Sequence, residues 1–95
     1  MRTFLMLSTI GPEGAATLHN NPDRLREVNA DVESMGARVL QQWALLGPYD
    51  FATVLEADDE KAMARIALRL GARGTIKTLT LNAIPVEDYL SAVKA

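Results

Sequence analysis

The stretch RVLQQWALLGPYDFATVLEA, residues 38–57, decides the fold. It contains two apolar, β-prone runs, at 38–46 and 49–57, with only Gly47 and Pro48 between them. A Gly-Pro dipeptide turns the chain, and two strands joined by so short a connection pair antiparallel. We therefore predict a β-hairpin near the middle of the chain, with strands over 38–46 and 49–57.

Helices are predicted on both sides of this hairpin. Apolar residues recur three and four positions apart after Asn21-Pro22-Asp23 and again after Asp58-Asp59-Glu60. This spacing is typical of amphipathic helices, with Asn21 as a cap for the first and three acids at the positive end of the second. Gly36 is predicted to end the first helix, and Gly71 or Gly74 the second.

Two further strands complete the sheet. Residues 3–10 and 75–84 are short, β-compatible runs, residues 13–20 are predicted to form no more than a helical turn, and Pro85 opens a last short helix. The resulting order, β-α-β-β-α-β with a C-terminal helix, predicts an α+β fold of ferredoxin-like topology, an alpha-beta plait. Right-handed crossovers place the first and third strands at the centre of the sheet.

Both faces of the predicted sheet are too apolar to meet water. In the first strand Phe4 and Met6 alternate with Leu5 and Leu7, so that neither face is polar. Two helices cover only one face, and a solvated face would carry polar residues at every second position. We expect a second copy of the chain to cover the other face, forming a homodimer or higher oligomer, with the C-terminal helix as a competing cover.

Composition limits the class of protein. The 95 residues suit one domain spanning 1–95, and 48% apolar with 23% charged residues is ordinary for a globular protein. Ten Lys and Arg, scattered along the chain, against twelve Asp and Glu argue against a nucleic-acid partner. The chain has no cysteine and no apolar run long enough to span a membrane. We expect a cytoplasmic protein with no membrane partner, no metal and no cofactor.

Several of these segments together resemble the GYD domain family of small bacterial and archaeal proteins. The similarity lies in Gly47-Pro48-Tyr49-Asp50, in the acidic helix start at 56–60, and in Gly74-Thr75-Ile76-Lys77-Thr78-Leu79-Thr80-Leu81. The helix start at 21–24 and residues 34–39 are also similar. Thr75 stands where the family often has Asn, so a role of that Asn does not carry over. The resemblance implies a ferredoxin-like fold that associates as a dimeric α/β barrel, with no established activity.

Polar side chains are predicted to meet at one end of the sheet. Tyr49 and Asp50 follow the hairpin turn, Thr9 lies at the end of the first strand, and Lys77 lies near the start of the fourth. The backbones of Asp50 and Lys77 are predicted to lie roughly 10 Å apart across one strand. In one interpretation they form a small-molecule pocket, with Asp50 as acceptor or base, Tyr49 as donor and Lys77 or Arg73 holding an anion. In the other, Asp50 fixes the turn and Tyr49 packs on the hairpin.

The remaining candidates are single residues. His19 is the only histidine and is predicted to return toward the same end of the sheet, as a general base, as a haem ligand, or as an exposed loop histidine. Trp43 lines a ligand cavity or, in the alternative, fills a core or a subunit interface. The acids at 58–60 lack the ligand spacing of a calcium loop and favour helix-end electrostatics.

The sequence is compatible with three hypotheses about function. The leading hypothesis is an oligomeric domain, regulatory or otherwise, that binds a small molecule. The second is a cofactor-independent monooxygenase or isomerase that uses Asp50 or His19, which rests on fold analogy. The third is a structural assembly module. A cavity of about 300 Å³ or more separates the ligand-binding hypotheses from the third, because small-molecule sites need such a volume.

Overall fold

The chain folds in the order β-α-α-β-β-α-β-α, an α+β arrangement on one four-stranded antiparallel sheet. The computed structural model describes all residues from Met1 to Ala95. The elements are β1 (Arg2–Ile10), α1 (Pro12–Asn20), α2 (Arg24–Ser34), β2 (Arg38–Ala44), β3 (Phe51–Ala57), α3 (Glu60–Ala72), β4 (Ile76–Ala83) and α4 (Val86–Lys94).

The strand order is β2-β3-β1-β4, so the prediction that β1 and β3 are central is confirmed. Both central strands pair with antiparallel neighbours. Ser8 pairs with Phe51 at the start of β3, and Thr9 pairs with Lys77 near the start of β4. The end of β1, the β2–β3 connection and the start of β4 therefore lie at the same end of the sheet, as predicted.

The hairpin strands are shorter than predicted. β2 ends at Ala44 and β3 begins at Phe51, so six residues separate strands that were predicted to be joined by two. The Leu45 N–H donates to the Asp50 carbonyl at 2.8 Å and closes this loop. Pro48 lacks an N–H, and ladder pairing therefore cannot continue through the turn.

Residues 12–20 form a complete helix, α1, where only a turn was predicted. Pro12 suits the first turn because its missing N–H needs no intrahelical partner there. No residue of α1 is buried, and its start is held by a bond from the Gly11 N–H to the Thr75 carbonyl at 3.0 Å. A helix with so weak an apolar stripe gives little periodic signal in the sequence.

The helix ends differ in part from the prediction. Asp23, and not Asn21, occupies the N-cap of α2, and it makes no side-chain capping bond. Asn21 instead follows α1 and donates its N–H to the Thr17 carbonyl at 2.9 Å. Gly36, with φ of 100°, adopts the left-handed conformation predicted for it after α2. α3 runs through Gly71 to Ala72, so Gly71 does not end it.

One face of the sheet packs against α2 and α3 and forms the core. Phe4 and Met6 of β1 and Leu55 of β3 point to this face, because Phe4 is paired with Leu55 in the ladder. The helices supply the opposing side chains at helical spacing. The buried core comprises Phe4, Met6, Val32, Ala37, Leu55, Ala57, Met63, Ile66 and Leu70.

The opposite face is not covered. We call it the open face and define it by the apolar residues Leu5, Leu7, Trp43, Val54, Leu79 and Leu81, which the ladder registers place together on this side. Trp43, Leu79 and Leu81 are 48%, 45% and 44% exposed. The prediction of an apolar face that the helices do not shield is confirmed; association with a second copy stays a prediction.

A bulge in β2 changes the predicted faces of that strand. Strict alternation puts Val39 and Trp43 on one face, but the register shifts between Val39 and Gln41. Val39 pairs with Leu55 and packs against the core, whereas Trp43 pairs with Ala52 on the open face. That prediction is wrong because one extra residue reverses the alternation of a strand.

The C-terminal helix α4 does not cover the open face. None of its residues is buried, and the large apolar side chains Val86, Tyr89, Leu90 and Val93 are all exposed. The molecule extends 51 Å along its longest axis and 28 Å along the next. Because no residue of α4 is buried against its own chain, the competing cover proposed from the sequence is wrong.

Candidate functional site

A cavity of about 550 Å³ lies between the helix-covered face of the sheet and the helices. Met6, Phe51 and Leu55 line its sheet side, while Leu25 and Val28 of α2 line its helical side. More than half of the lining residues are apolar. The volume falls within the range of small-molecule sites, roughly 300–1,000 Å³, which are also mostly apolar with a few polar groups.

A network of three hydrogen-bonded side chains forms one polar part of the wall. The Asn29 Nδ2 donates to Gln42 Oε1 at 2.7 Å, and Gln42 Nε2 donates to Asn29 Oδ1 at 3.3 Å and to Thr53 Oγ1 at 2.9 Å. The three residues come from α2, β2 and β3. The amide nitrogens of Asn29 and Gln42 thus each donate to the amide oxygen of the other residue. The Thr53 hydroxyl accepts from Gln42, and its own proton has no acceptor among these bonds.

Ser8 adds a hydroxyl to the same wall. It lies on the helix-covered face of β1, lines the cavity and is only 4% exposed. Its main-chain carbonyl accepts from the Asp50 N–H at 2.8 Å, but its side chain makes no hydrogen bond within the chain. Because Ser8 lines the cavity, its hydroxyl is available to a molecule there as a donor and as an acceptor.

Two arginines are the charged residues that line the cavity. Arg24 is the first residue of α2, and its guanidinium lies 3.9 Å from the Glu27 carboxylate. Arg73 follows α3, and its Nη2 donates to Asp31 Oδ2 at 2.8 Å. Glu27 and Asp31 are not part of the lining. Since a guanidinium has five N–H donors, both arginines keep free donors.

α1 lies against the start of β4 at one side of the cavity. Gly14, Thr17 and Leu18 of α1 line the cavity together with Thr75. A Cβ atom built on Gly14 would lie 2.8 Å from the Thr75 carbonyl oxygen. The close approach of α1 to the sheet therefore depends on the absence of a side chain at position 14.

The five residues predicted as a ligand site do not line this cavity. Asp50 is half-buried, and its Oδ2 accepts from the Ile10 N–H at 2.8 Å, which ties the hairpin loop to the end of β1. Tyr49 precedes it and is also half-buried. The structure thus brings Asp50 beside the end of β1, as expected, through a bond that fixes the loop.

Thr9, Lys77 and His19 lie elsewhere. Thr9 and Lys77 are direct partners in the β1–β4 ladder, on the side of the sheet that carries the open face. His19 is exposed in the last turn of α1. A ligand-binding role for these five residues stays a prediction.

The other candidates have clear positions. Trp43 lies on the open face and not in the cavity. Asp59 is the N-cap of α3 and accepts from the Ala62 N–H at 2.9 Å, which supports the helix-end interpretation of the acids at 58–60.

No three His, Cys, Asp or Glu side chains come together in an arrangement able to hold a metal ion. None of the helices has the length and apolarity needed to span a bilayer.

Sequence reasoning missed the polar wall of the cavity. Asn29 lies within the apolar stripe of α2, and Gln42 and Thr53 interrupt the apolar runs of the hairpin strands. A polar residue on an otherwise apolar face is the signal that could have found them. Their convergence from three elements was not visible in the sequence.

Comparison with known proteins agrees with this fold. The family model of the GYD domain matches residues 4–93. The "Glutamine synthetase and cystathionine beta-lyase binding protein" of Thermus thermophilus is 50% identical over 95 residues, which cover 99% of this chain and 100% of that protein.

Two crystal structures share the fold. That of FFRP-DM1 has a TM-score of 0.59 and 22% identity and covers 88% of this chain and 100% of its own. That of TTHA0845 from Thermus thermophilus has a TM-score of 0.57 and 18% identity, covering 90% and 95%. The match to nearly the whole chain, together with the full-length relative, shows that this protein belongs to the GYD domain family.

Proposed function

We propose that this protein is a small, self-associating binding protein with a regulatory role, which takes a small molecule into the cavity between sheet and helices. The observation that carries the proposal is the cavity itself, with a volume of about 550 Å³ and a Ser8 hydroxyl in its wall. A module with a purely structural role has no need of such a space, which lowers stability when it is left unfilled.

The lining supports binding rather than catalysis. Its charged residues are Arg24 and Arg73, and it contains no His, Asp, Glu, Lys, Cys or Tyr, so no general base in the wall is positioned to activate the Ser8 hydroxyl as a nucleophile. The enzyme hypothesis assigned the base to Asp50 or His19. Asp50 is bound to the Ile10 N–H and His19 is exposed, and neither lines the cavity.

Self-association is proposed because two apolar surfaces lack a partner within the chain. One is the open face of the sheet, and the other is the exposed stripe of Val86, Tyr89, Leu90 and Val93 on α4. Large contiguous apolar patches on a protein surface mark interaction sites. A second copy bound across the open face would bury the first surface, and α4, none of whose residues is buried in its own chain, would be free to contact the partner.

A cavity-filling variant tests small-molecule binding. Val28 lines the cavity, so Val28→Trp should fill part of it, whereas Ala64→Trp adds the same side chain at an exposed position of α3. We expect fractionated metabolite extract to raise the melting temperature of wild type and Ala64→Trp by about 10 °C at a ligand concentration of about 100 Kd. Val28→Trp should lose most of this rise. No stabilisation of wild type by any fraction, together with no small molecule bound in native mass spectrometry, would refute the proposal.

A second candidate function is binding to other proteins. It is favoured by the full-length relative, 50% identical, whose name states that it binds glutamine synthetase and cystathionine β-lyase. We expect saturable binding of this chain to the host's own glutamine synthetase in surface plasmon resonance. An unrelated oligomeric enzyme, such as catalase, serves as the control. Equal binding to both enzymes, or to neither, would contradict this candidate. A cytoplasmic location, where such enzymes occur, stays a prediction.

A further inference from the structure

The cavity is biased toward ligands that accept hydrogen bonds and carry negative charge. Its charged lining residues, Arg24 and Arg73, are both cations, and no carboxylate is among the lining residues. Their side chains are 39% and 30% exposed and pair with Glu27 and Asp31 outside the lining, so their attraction for an anion is partly screened, but no acid of the wall opposes it.

The uncharged polar groups show the same bias. The amide oxygens of Asn29 and Gln42 each accept a bond from the other residue, and the Asn29 amide keeps one N–H that donates to no partner in the network. The Ser8 and Thr53 hydroxyls, on residues 4% and 6% exposed, keep their protons for a new acceptor. Two hydroxyl donors and two arginines therefore line a space whose wall contains no carboxylate.

The geometry points to a small organic acid with an apolar body as the ligand. In this proposal the carboxylate accepts from the Ser8 and Thr53 hydroxyls and from the free N–H groups of Arg24 or Arg73. The body of the ligand packs against the apolar majority of the wall, which includes Met6, Leu25 and Val28. A carboxylate has only acceptor sites and matches a donor-rich wall, and Arg binds it with two parallel hydrogen bonds. The inference rests on the proposed function and names the chemical class of its ligand.

Three probes with the same body and different charge test the inference. Octanoate, octanamide and octylamine are titrated into the ¹⁵N-labelled full chain, and dissociation constants are taken from the amide shifts of residues around the cavity. We expect octanoate to bind at least about 10-fold more tightly than octanamide, since a hydrogen bond to a charged group contributes about 1.5–3 kcal/mol. Octylamine should bind most weakly. Tighter binding of octanamide or octylamine than of octanoate would overturn the assignment.

Variants locate the carboxylate. The double variant Arg24→Gln with Arg73→Gln should weaken octanoate binding at least about 10-fold and leave octanamide binding within about twofold. Arg26→Gln is the matched control, because Arg26 lies on the same helix with an exposed side chain outside the cavity. Ser8→Ala, which removes one hydroxyl donor from the cavity wall, should weaken octanoate binding about fivefold. Unchanged octanoate binding in both the double variant and Ser8→Ala would contradict the inference.

The outcomes also separate this inference from the proposed function. If octanamide or an uncharged metabolite binds in the cavity as well as octanoate does, the acid assignment is wrong while the cavity remains a ligand site. If none of the three probes moves the cavity resonances, the acid assignment also fails. The proposed function fails only when wild type is stabilised by no metabolite fraction and retains no small molecule.

Discussion

Leu79→Asp tests whether the open face joins two copies of the chain. Leu79 lies on edge strand β4, pairs with Leu7 and is 45% exposed. Full burial of a leucine side chain is worth about 1.5–3 kcal/mol, so burying the remaining exposed part contributes about 1 kcal/mol. In a two-fold dimer the position occurs twice, and the loss of apolar burial is therefore about 2 kcal/mol per dimer.

The expected effect on association is large. A loss of about 2 kcal/mol raises the dimer dissociation constant about 30-fold. Two unpaired carboxylates inside an apolar interface add several kcal/mol more, because an isolated charge loses its hydration there. Leu79→Ala, which removes apolar area without adding charge, should have the smaller effect, and Leu79→Asp should be monomeric at micromolar concentration.

Sedimentation velocity over a range of micromolar concentrations measures this effect. Leu68→Asp is the matched control, because Leu68 is 74% exposed on α3 and lies away from the open face. We expect wild type and Leu68→Asp to sediment as dimers or larger species. Circular dichroism should show that Leu79→Asp keeps its secondary structure, since the residue is not part of the core. A monomeric wild type, or a Leu79→Asp variant as associated as Leu68→Asp, would refute the reasoning.

Three local contacts that hold the fold together are tested by thermal unfolding of variants. Gly14→Ala should lower the free energy of unfolding by about 1–2 kcal/mol, because its Cβ would lie 2.8 Å from a backbone oxygen, whereas Gly71→Ala, also inside a helix and with no atom within 4 Å of the added Cβ, should not lower it. Equal melting temperatures of the two glycine variants would contradict the close approach of α1. Asp50→Ala should lower the free energy of unfolding by about 1–3 kcal/mol, because the Ile10 N–H loses its acceptor, and Asp50→Asn should lower it less. Equal stability of wild type and both variants would contradict this role of Asp50. Asp59→Ala should cost about 1 kcal/mol through loss of the α3 cap, and no change would rule out that role.

Much of the architecture could be predicted from local patterns. The hairpin followed from two β-prone runs around Gly47-Pro48, and the central position of β1 and β3 followed from the handedness of the crossovers. The acidic start of α3 was also predicted correctly, because Asp59 acts on the N–H of Ala62, only three residues away. Each of these features depends on neighbouring residues or on a general rule of chain topology.

The candidate site was predicted less well. Sequence reasoning favoured the polar residues that follow the hairpin turn, and Asp50 does lie beside the end of β1, but it binds the Ile10 N–H and lies outside the cavity. The bulge after Val39 moved Trp43 to the opposite face from Val39, which strict alternation could not anticipate. Both outcomes depend on register between strands, which no single strand specifies.

The sequence by itself determined the order of the four strands and of α2, α3 and α4, the α+β class and a sheet that is apolar on both faces, because these follow from local periodicity and turn residues. Only the tertiary structure decided which face the helices cover, that α4 covers neither, and that Asn29, Gln42 and Thr53 meet on one cavity wall. The reason is physical: the three residues belong to different elements, and their meeting depends on how those elements pack. Packing of this kind depends on many long-range contacts together, and it produces no periodic pattern in the amino-acid sequence.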